Sequence, residues 1–250
     1  MPEIRHILTG FHFSTDQGWL GVSTTTLIRG VNNIIVDPGP KGRSDLLRET
    51  LAKMQVMEED INMIILTHAH WDHCQNIDMF PNAKILMHPR ELEYAASPRK
   101  GDLSTARYFL AMLEDRDVEE IVEGDELESG IRILDTPGHT RGHISALVDA
   151  PEGLTAIAGD ALPWAKSVIT GLPTTIFWDE TEGADSVKKL LDASSIFYPG
   201  HDRPFNVGPR NAVQYIGGAD SIRLRLGHDG VGDLTIRVAP DPPHIPRIIE

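Results

Sequence analysis

Between positions 68 and 73 the chain reads His-Ala-His-Trp-Asp-His, so His68, His70, Asp72 and His73 fall within six residues. Imidazole and carboxylate donors suit a borderline divalent metal ion such as zinc. The apolar run 63–66 just before them reads as a buried strand. On a continuing strand His68, His70 and Asp72 would share one face, and His73 would point away. A tight loop at the strand end lets all four converge. The alternative is a polar loop with chance histidines. A lone histidine would favour that alternative; three histidines and an aspartate at this spacing do not.

The pattern His-x-His-x-Asp-His resembles the signature of the metallo-β-lactamase-fold hydrolases. That family also uses a later His, a later Asp and a final His, and the chain offers these in order. Thr136-Pro137-Gly138-His139 follows the apolar run 131–134, Ala158-Gly159-Asp160 closes the run 154–158, and Tyr198-Pro199-Gly200-His201 follows 195–198. A glycine precedes each, permitting a sharp turn close to a metal. The resemblance runs from about Thr24 to Phe205 and rests on four separated motifs.

The resemblance implies an α+β fold, a four-layer αβ/βα sandwich of two mixed sheets with helices outside and the metals at one sheet edge. It implies that His68, His70 and His139 bind a first metal, that Asp72, His73 and His201 bind a second, and that Asp160 bridges them. The ions would be two divalent cations, zinc first, with manganese or iron as alternatives. A metal-bridging hydroxide would attack the substrate, with Asp72 orienting the water and taking its proton. The positive charge left over would favour an anionic tetrahedral intermediate. Relatives carry an Asp at the strand end where Asp37 stands, which could hold a ligand by hydrogen bonding. A simple turn Asp is the other reading of Asp37.

Departures from subfamily patterns narrow the reading. Redox members place Glu where His70 stands, so histidine favours hydrolysis. Glyoxalase II proteins have paired glycines where Cys74-Gln75-Asn76 follows here. The similarity is greatest to small lactonase-like hydrolases, through Thr136–His143 and Gly200-His201-Asp202 among other stretches. Acyl-homoserine lactonases commonly carry Tyr three residues after the bridging Asp, and here Pro163 holds that place. This leaves hydrolysis of a small acyl substrate (lactone, ester or thioester), with a phosphodiesterase or nuclease of the same fold as the alternative.

Composition bounds the partners. A net charge of −14 disfavours nucleic acid, because phosphate contacts need clustered Lys and Arg. With one cysteine there is no intrachain disulfide, and a cytoplasmic, reducing setting is expected. Neither a signal peptide nor a membrane span is evident. The expected partner is a small-molecule substrate, and a homodimer is left open. We expect residues 1–250 to form one domain.

Elements must place these residues. Strands are expected at 4–8, 24–28, 33–36, 63–66, 84–87, 120–122, 131–134, 144–148, 154–158 and 195–198. Helices are expected at 45–56, with Ser44 as N-cap, and at 90–96, 104–114 and 182–191. Phe11, His12, Phe13, Trp19 and Leu20 fall in a loop-like stretch, lining a pocket mouth or packing. Trp71, Trp164, Phe177 and Trp178 are proposed as an apolar rim, and Tyr94, Tyr108 and Phe109 as pocket wall or helix packing. Lys166 and Arg203, near ligands in sequence, could bind an anion. His88 follows a strand but lies outside the ligand pattern. His6 and His12 are given no metal role, His143 is expected to support a ligand, and Cys74 is expected to be an inert small hydrophobe. Asp16, Asp102 and Asp179 show no site context. A closing hairpin is expected from 221–226 and 234–238, linked through Gly227-His228-Asp229-Gly230, and Pro240, Pro242, Pro243 and Pro246 mark an extended tail.

Overall fold

The computed structural model describes residues 1–16, 18–219, 221–225, 233–237 and 247–248. The first half contains β1 (Glu3–Leu8), β2 (Phe11–Thr15), β3 (Gly18–Val22), β4 (Thr25–Arg29), β5 (Asn33–Val36), α1 (Ser44–Lys53), β6 (Met63–Ile65), α2 (Trp71–Cys74), β7 (Lys84–Met87), α3 (Pro89–Ala96), α4 (Phe109–Met112) and β8 (Val118–Glu120). Six of these strands form a sheet in the order β1-β4-β5-β6-β7-β8, antiparallel up to β5 and parallel from β5 to β8. The second half contains β9 (Glu126–Glu128), β10 (Ile131–Asp135), β11 (Ile144–Ala150), β12 (Gly153–Gly159), α5 (Ser167–Thr170), β13 (Thr175–Ile176), α6 (Glu180–Ala193), β14 (Ile196–Pro199), β15 (Phe205–Gly208) and β16 (Ala212–Tyr215). Its seven-stranded sheet runs β16-β15-β14-β12-β11-β10-β9, with β12 and β14 parallel.

The continuous apolar runs of β5 and β6 have a simple cause: both faces of the first sheet are covered. Ile34, Val36 and Ile65 face the second sheet, meeting Ile131, Ile133, Ile144 and Val148. Ile35 and Ile64 face the other way, against Leu47 and Leu51 of α1. Across the molecule Val187 and Leu190 of α6 cover Ala156, Phe197 and Phe205 of the second sheet. The layers are helix, sheet, sheet, helix, as the resemblance implied. Among the described residues no helix is long and apolar enough to cross a membrane.

Several expected elements differ. The stretch from Phe11 to Val22 is a paired hairpin, β2 against β3, and not a loop. The adjacent apolar residues Trp19 and Leu20, both exposed, break the alternation in β3. Ser44 begins α1 rather than capping it, and its hydroxyl bonds Lys41 O and Asn76 Oδ1. The helix expected at 104–114 shrinks to the single turn α4, because Ser104 and Thr105 are held elsewhere (below). The strand expected at 120–122 lies at Val118–Glu120. β17 (Ser221–Arg225) and β18 (Asp233–Arg237) pair antiparallel as expected, while their linking glycines and the tail prolines lie outside the described residues. β19 (Arg247–Ile248) pairs with β13.

Candidate metal centre

The site lies where strands of both sheets end. Asp37 follows β5, His68 follows β6, His139 follows β10, Asp160 follows β12 and His201 follows β14. Asp72 and His73 ride on the one-turn helix α2. That turn resolves the period-two conflict, since it brings His73 back beside His68, with ring centroids 4.1 Å apart. Two groups result: His68, His70, His139 and Asp160, and then Asp72, His73 and His201, with candidate donor atoms in each group within 4.8 Å of one another. The structure therefore brings together all seven residues expected from the sequence.

Gly200 shows why glycine stands before the last histidine. A Cβ there would sit 1.9 Å from Asp160 Oδ1 and 2.9 Å from the Gly159 carbonyl carbon. Gly138 has φ of 125° and a Cβ would lie 2.3 Å from the Gly183 backbone, so glycine is required on both counts.

Each of the five imidazoles spends one nitrogen on the protein. His139 Nδ1 donates to the Thr175 carbonyl at 2.7 Å, and His201 Nδ1 to the Val22 carbonyl at 3.0 Å. His73 Nδ1 donates to Asp37 Oδ2 at 2.8 Å, and His70 Nε2 lies 3.4 Å from Asp102 Oδ2. The Thr67 hydroxyl donates to Asp37 at 2.7 Å and so accepts from His68 Nδ1 at 2.9 Å. Carbonyls and carboxylates only accept, so in each neutral ring the remaining nitrogen carries the lone pair. These converge: His70 Nδ1 is 3.1 Å from His139 Nε2, and His73 Nε2 is 3.4 Å from His201 Nε2. Asp160 sits between the groups, Oδ1 3.4 Å from His73 Nε2 and Oδ2 3.3 Å from both His139 and His201 Nε2. His68 Nε2 is buried without a hydrogen-bond partner. Facing lone pairs and an orphaned buried nitrogen fit a shared cation, because a buried polar group without a partner is costly.

The charges around the rings differ. Burial pushes His73 down, but Asp160, Asp37 and Asp72 outweigh it and raise the ring to about 10. His139 is pulled down to about 4, chiefly by burial. Burial, with its neighbouring histidines, also holds His68 well below the ordinary value.

Supporting residues include some the sequence did not announce. Glu91, fully buried on α3, accepts from Ala69 N at 3.0 Å and Gly142 N at 2.8 Å, pinning together the two loops that carry His68 and His139. Burial pushes its carboxyl up. Asp102, read as having no site context, is buried against His70, which is a correction. His143 supports as expected: its Nε2 accepts from Asp160 N at 3.0 Å while Nδ1 bonds Thr136 Oγ1. Asp37 combines both readings offered for it, a turn residue with φ of 51° and a hydrogen-bonding anchor. His88 stays out, capping α3 by accepting from Arg90 N and facing Asp135 at 3.4 Å. Asp179 caps α6. Cys74 is buried in the core, and burial pushes its thiol up.

The centre opens into a cavity of about 290 Å³. Trp164 and Phe177 line it as proposed, and so do His12 and Trp19 from the β2–β3 hairpin and Leu103. Trp71 packs on Trp19 at 6.4 Å without lining the cavity. Trp178 does not line it either, being taken up by the Arg99 guanidinium at 4.5 Å and Tyr94. Tyr94, Tyr108 and Phe109 are likewise not wall residues: Tyr94 bonds Asp102, Tyr108 accepts from Gln75, and Phe109 is core. Among the described residues lining the cavity there is no Lys or Arg, so neither Lys166 nor Arg203 is part of its wall.

Comparison with known proteins agrees with this fold. The profile of the metallo-beta-lactamase superfamily matches residues 18–201. Metallo-beta-lactamase domain-containing protein 1 of Xenopus laevis is 31% identical over 211 residues, 82% of each chain. An N-acyl homoserine lactonase of Bacillus cereus is 30% identical over 178 residues, 69% of this chain and 68% of that one. The solved structure of AidC, a dizinc quorum-quenching lactonase in complex with a product, superposes with a TM-score of 0.62 at 18% identity, covering 81% of each chain. The chain belongs to the metallo-β-lactamase superfamily and is a metal-dependent hydrolase.

Proposed function

We propose that this chain hydrolyses a small, uncharged acyl substrate, a lactone, ester or thioester, and that residues 1–250 work as one domain. His68, His70 and His139 would hold one divalent ion, Asp72, His73 and His201 a second, and Asp160 both. Zinc suits this nitrogen-rich set, and the AidC lactonase, which shares the fold, is described as dizinc. Bound there, the ions supply Lewis acidity and an activated water near neutral pH. Asp72 lines the cavity, its Oδ2 3.4 Å from His201 Nε2, and would orient an attacking water and take its proton. Trp19, Leu103, Trp164 and Phe177 give the acyl group an apolar surface and exclude bulk water.

The observation that carries the choice of substrate is the lining: beyond the candidate ligands it holds aromatic and aliphatic groups, His12 and the hydroxyl residues Ser14, Ser104, Thr174 and Thr175, with no Lys or Arg among its described residues to hold a phosphate. The net charge of −14 adds a field that repels polyanions. The test is kinetic. Metal-loaded protein is assayed with matched lactone, ester, thioester and phosphodiester substrates at two salt concentrations. The expected result is acyl hydrolysis with phosphodiester efficiency at least ~10-fold lower, about 1.4 kcal/mol of transition-state preference. Faster phosphodiester cleavage, or tight salt-sensitive RNA binding, overturns the reading.

A further inference from the structure

The segment between α3 and α4 is fastened to His70 by side chain and backbone together. Asp102 is buried, and its carboxylate gathers five contacts. Oδ1 accepts from the backbone of Ser104 at 2.9 Å and Thr105 at 3.0 Å. Oδ2 accepts from the Thr105 hydroxyl at 2.7 Å and the Tyr94 hydroxyl at 2.9 Å, and faces His70 Nε2 at 3.4 Å. The backbone adds a His70–Thr105 bridge and a bond from Trp71 N to Ser104 O at 3.0 Å. Within this frame Gly101, Leu103 and Ser104 line the cavity. Leu103 is 84% exposed and Trp19, also in the lining, is 50% exposed. Two large apolar side chains thus stand exposed while lining the same cavity.

We propose that Asp102 is a positioning residue for His70, and that it also fixes Leu103 as an apolar lip that meets the acyl group. The proposal rests on the metal reading given above. A carboxylate can only accept, so its contact with Nε2 keeps the proton on that nitrogen. Nδ1 is then left with its lone pair toward His139 and Asp160. Without the carboxylate the ring could take the other tautomer and turn its proton into the cation site. The same carboxylate orders the turn at Ser104 and Thr105, so metal geometry and the cavity mouth share one anchor.

The experiment compares cobalt-loaded wild type, Asp102→Asn and Leu103→Ser by metal titration, visible absorption and steady-state kinetics. Asp102→Asn should weaken the affinity for one of the two ions by about 10–100-fold, shift the cobalt absorption bands and lower kcat. Leu103→Ser should raise KM for an acyl substrate several-fold, with wild-type cobalt affinity and spectrum. Wild-type protein that takes up fewer than two cobalt ions refutes the metal reading itself. Two ions in wild type with unchanged affinity and spectrum in Asp102→Asn overturns the positioning role, and an unchanged KM in Leu103→Ser overturns the lip. If Asp102→Asn does not fold, Tyr94→Phe removes one donor to the carboxylate, and a smaller shift in the same direction is expected.

Discussion

Asp37 Oδ2 accepts both the Nδ1–H of His73 at 2.8 Å and the hydroxyl of Thr67 at 2.7 Å, and Thr67 passes the constraint on to His68. One carboxylate at the end of β5 thus sets the orientation of a histidine in each candidate metal group. A third contact, Thr67 N to Oδ1 at 2.9 Å, fixes the carboxylate itself. Asp37→Ala should therefore weaken metal binding about 10–100-fold. It should also cost about 1–3 kcal/mol of stability, because buried donors lose their acceptor. Isothermal titration with zinc and urea denaturation of the metal-free protein check the two effects separately.

Asp160 and His88 make a contrasting pair, since both follow a strand. Asp160 lies between the two groups, and Asp160→Ala should release or misplace at least one ion and lower turnover by more than roughly 100-fold. His88→Ala should keep full metal content and lose about 1 kcal/mol of stability with the cap of α3. Elemental analysis of both variants decides: a His88→Ala protein stripped of metal beside a fully loaded Asp160→Ala protein contradicts the assignment.

His6 gives a stability change away from the metals. Burial first, and then Arg43, lower its pKa from 6.5 to about 4, and Nδ1 has no partner. The folded state therefore holds its proton less tightly than the unfolded state. Stability is complete above pH 6.5 and is lost as pH falls toward 4, by up to about 3 kcal/mol. Urea denaturation at pH 7 and pH 4.5 should show a smaller loss for His6→Gln than for wild type. Equal losses in both proteins contradict this.

The seven central residues were legible because each belongs to a short motif at the end of an apolar run, with a glycine before the three distant ones. The layered architecture was legible for a related reason, since strands covered on both faces read as unbroken apolar stretches. Asp102 and Glu91 were not legible. Each is a single acid whose link to the site runs to distant residues, Asp102 facing His70 32 residues before it and Glu91 bonding residues 22 before and 51 after it. No local pattern marks such a residue. The aromatic lining was half legible: type suggested an apolar wall, but whether Trp178 faced the cavity depended on Arg99 and Tyr94, which claim its ring.

His68, His70, Asp72, His73, His139, Asp160 and His201 together are proposed to hold a pair of ions. Elemental analysis of gently purified protein, before and after saturation with zinc, manganese or iron, tests it most directly. About two divalent ions per chain are expected. A stoichiometry of one or less after saturation would contradict it.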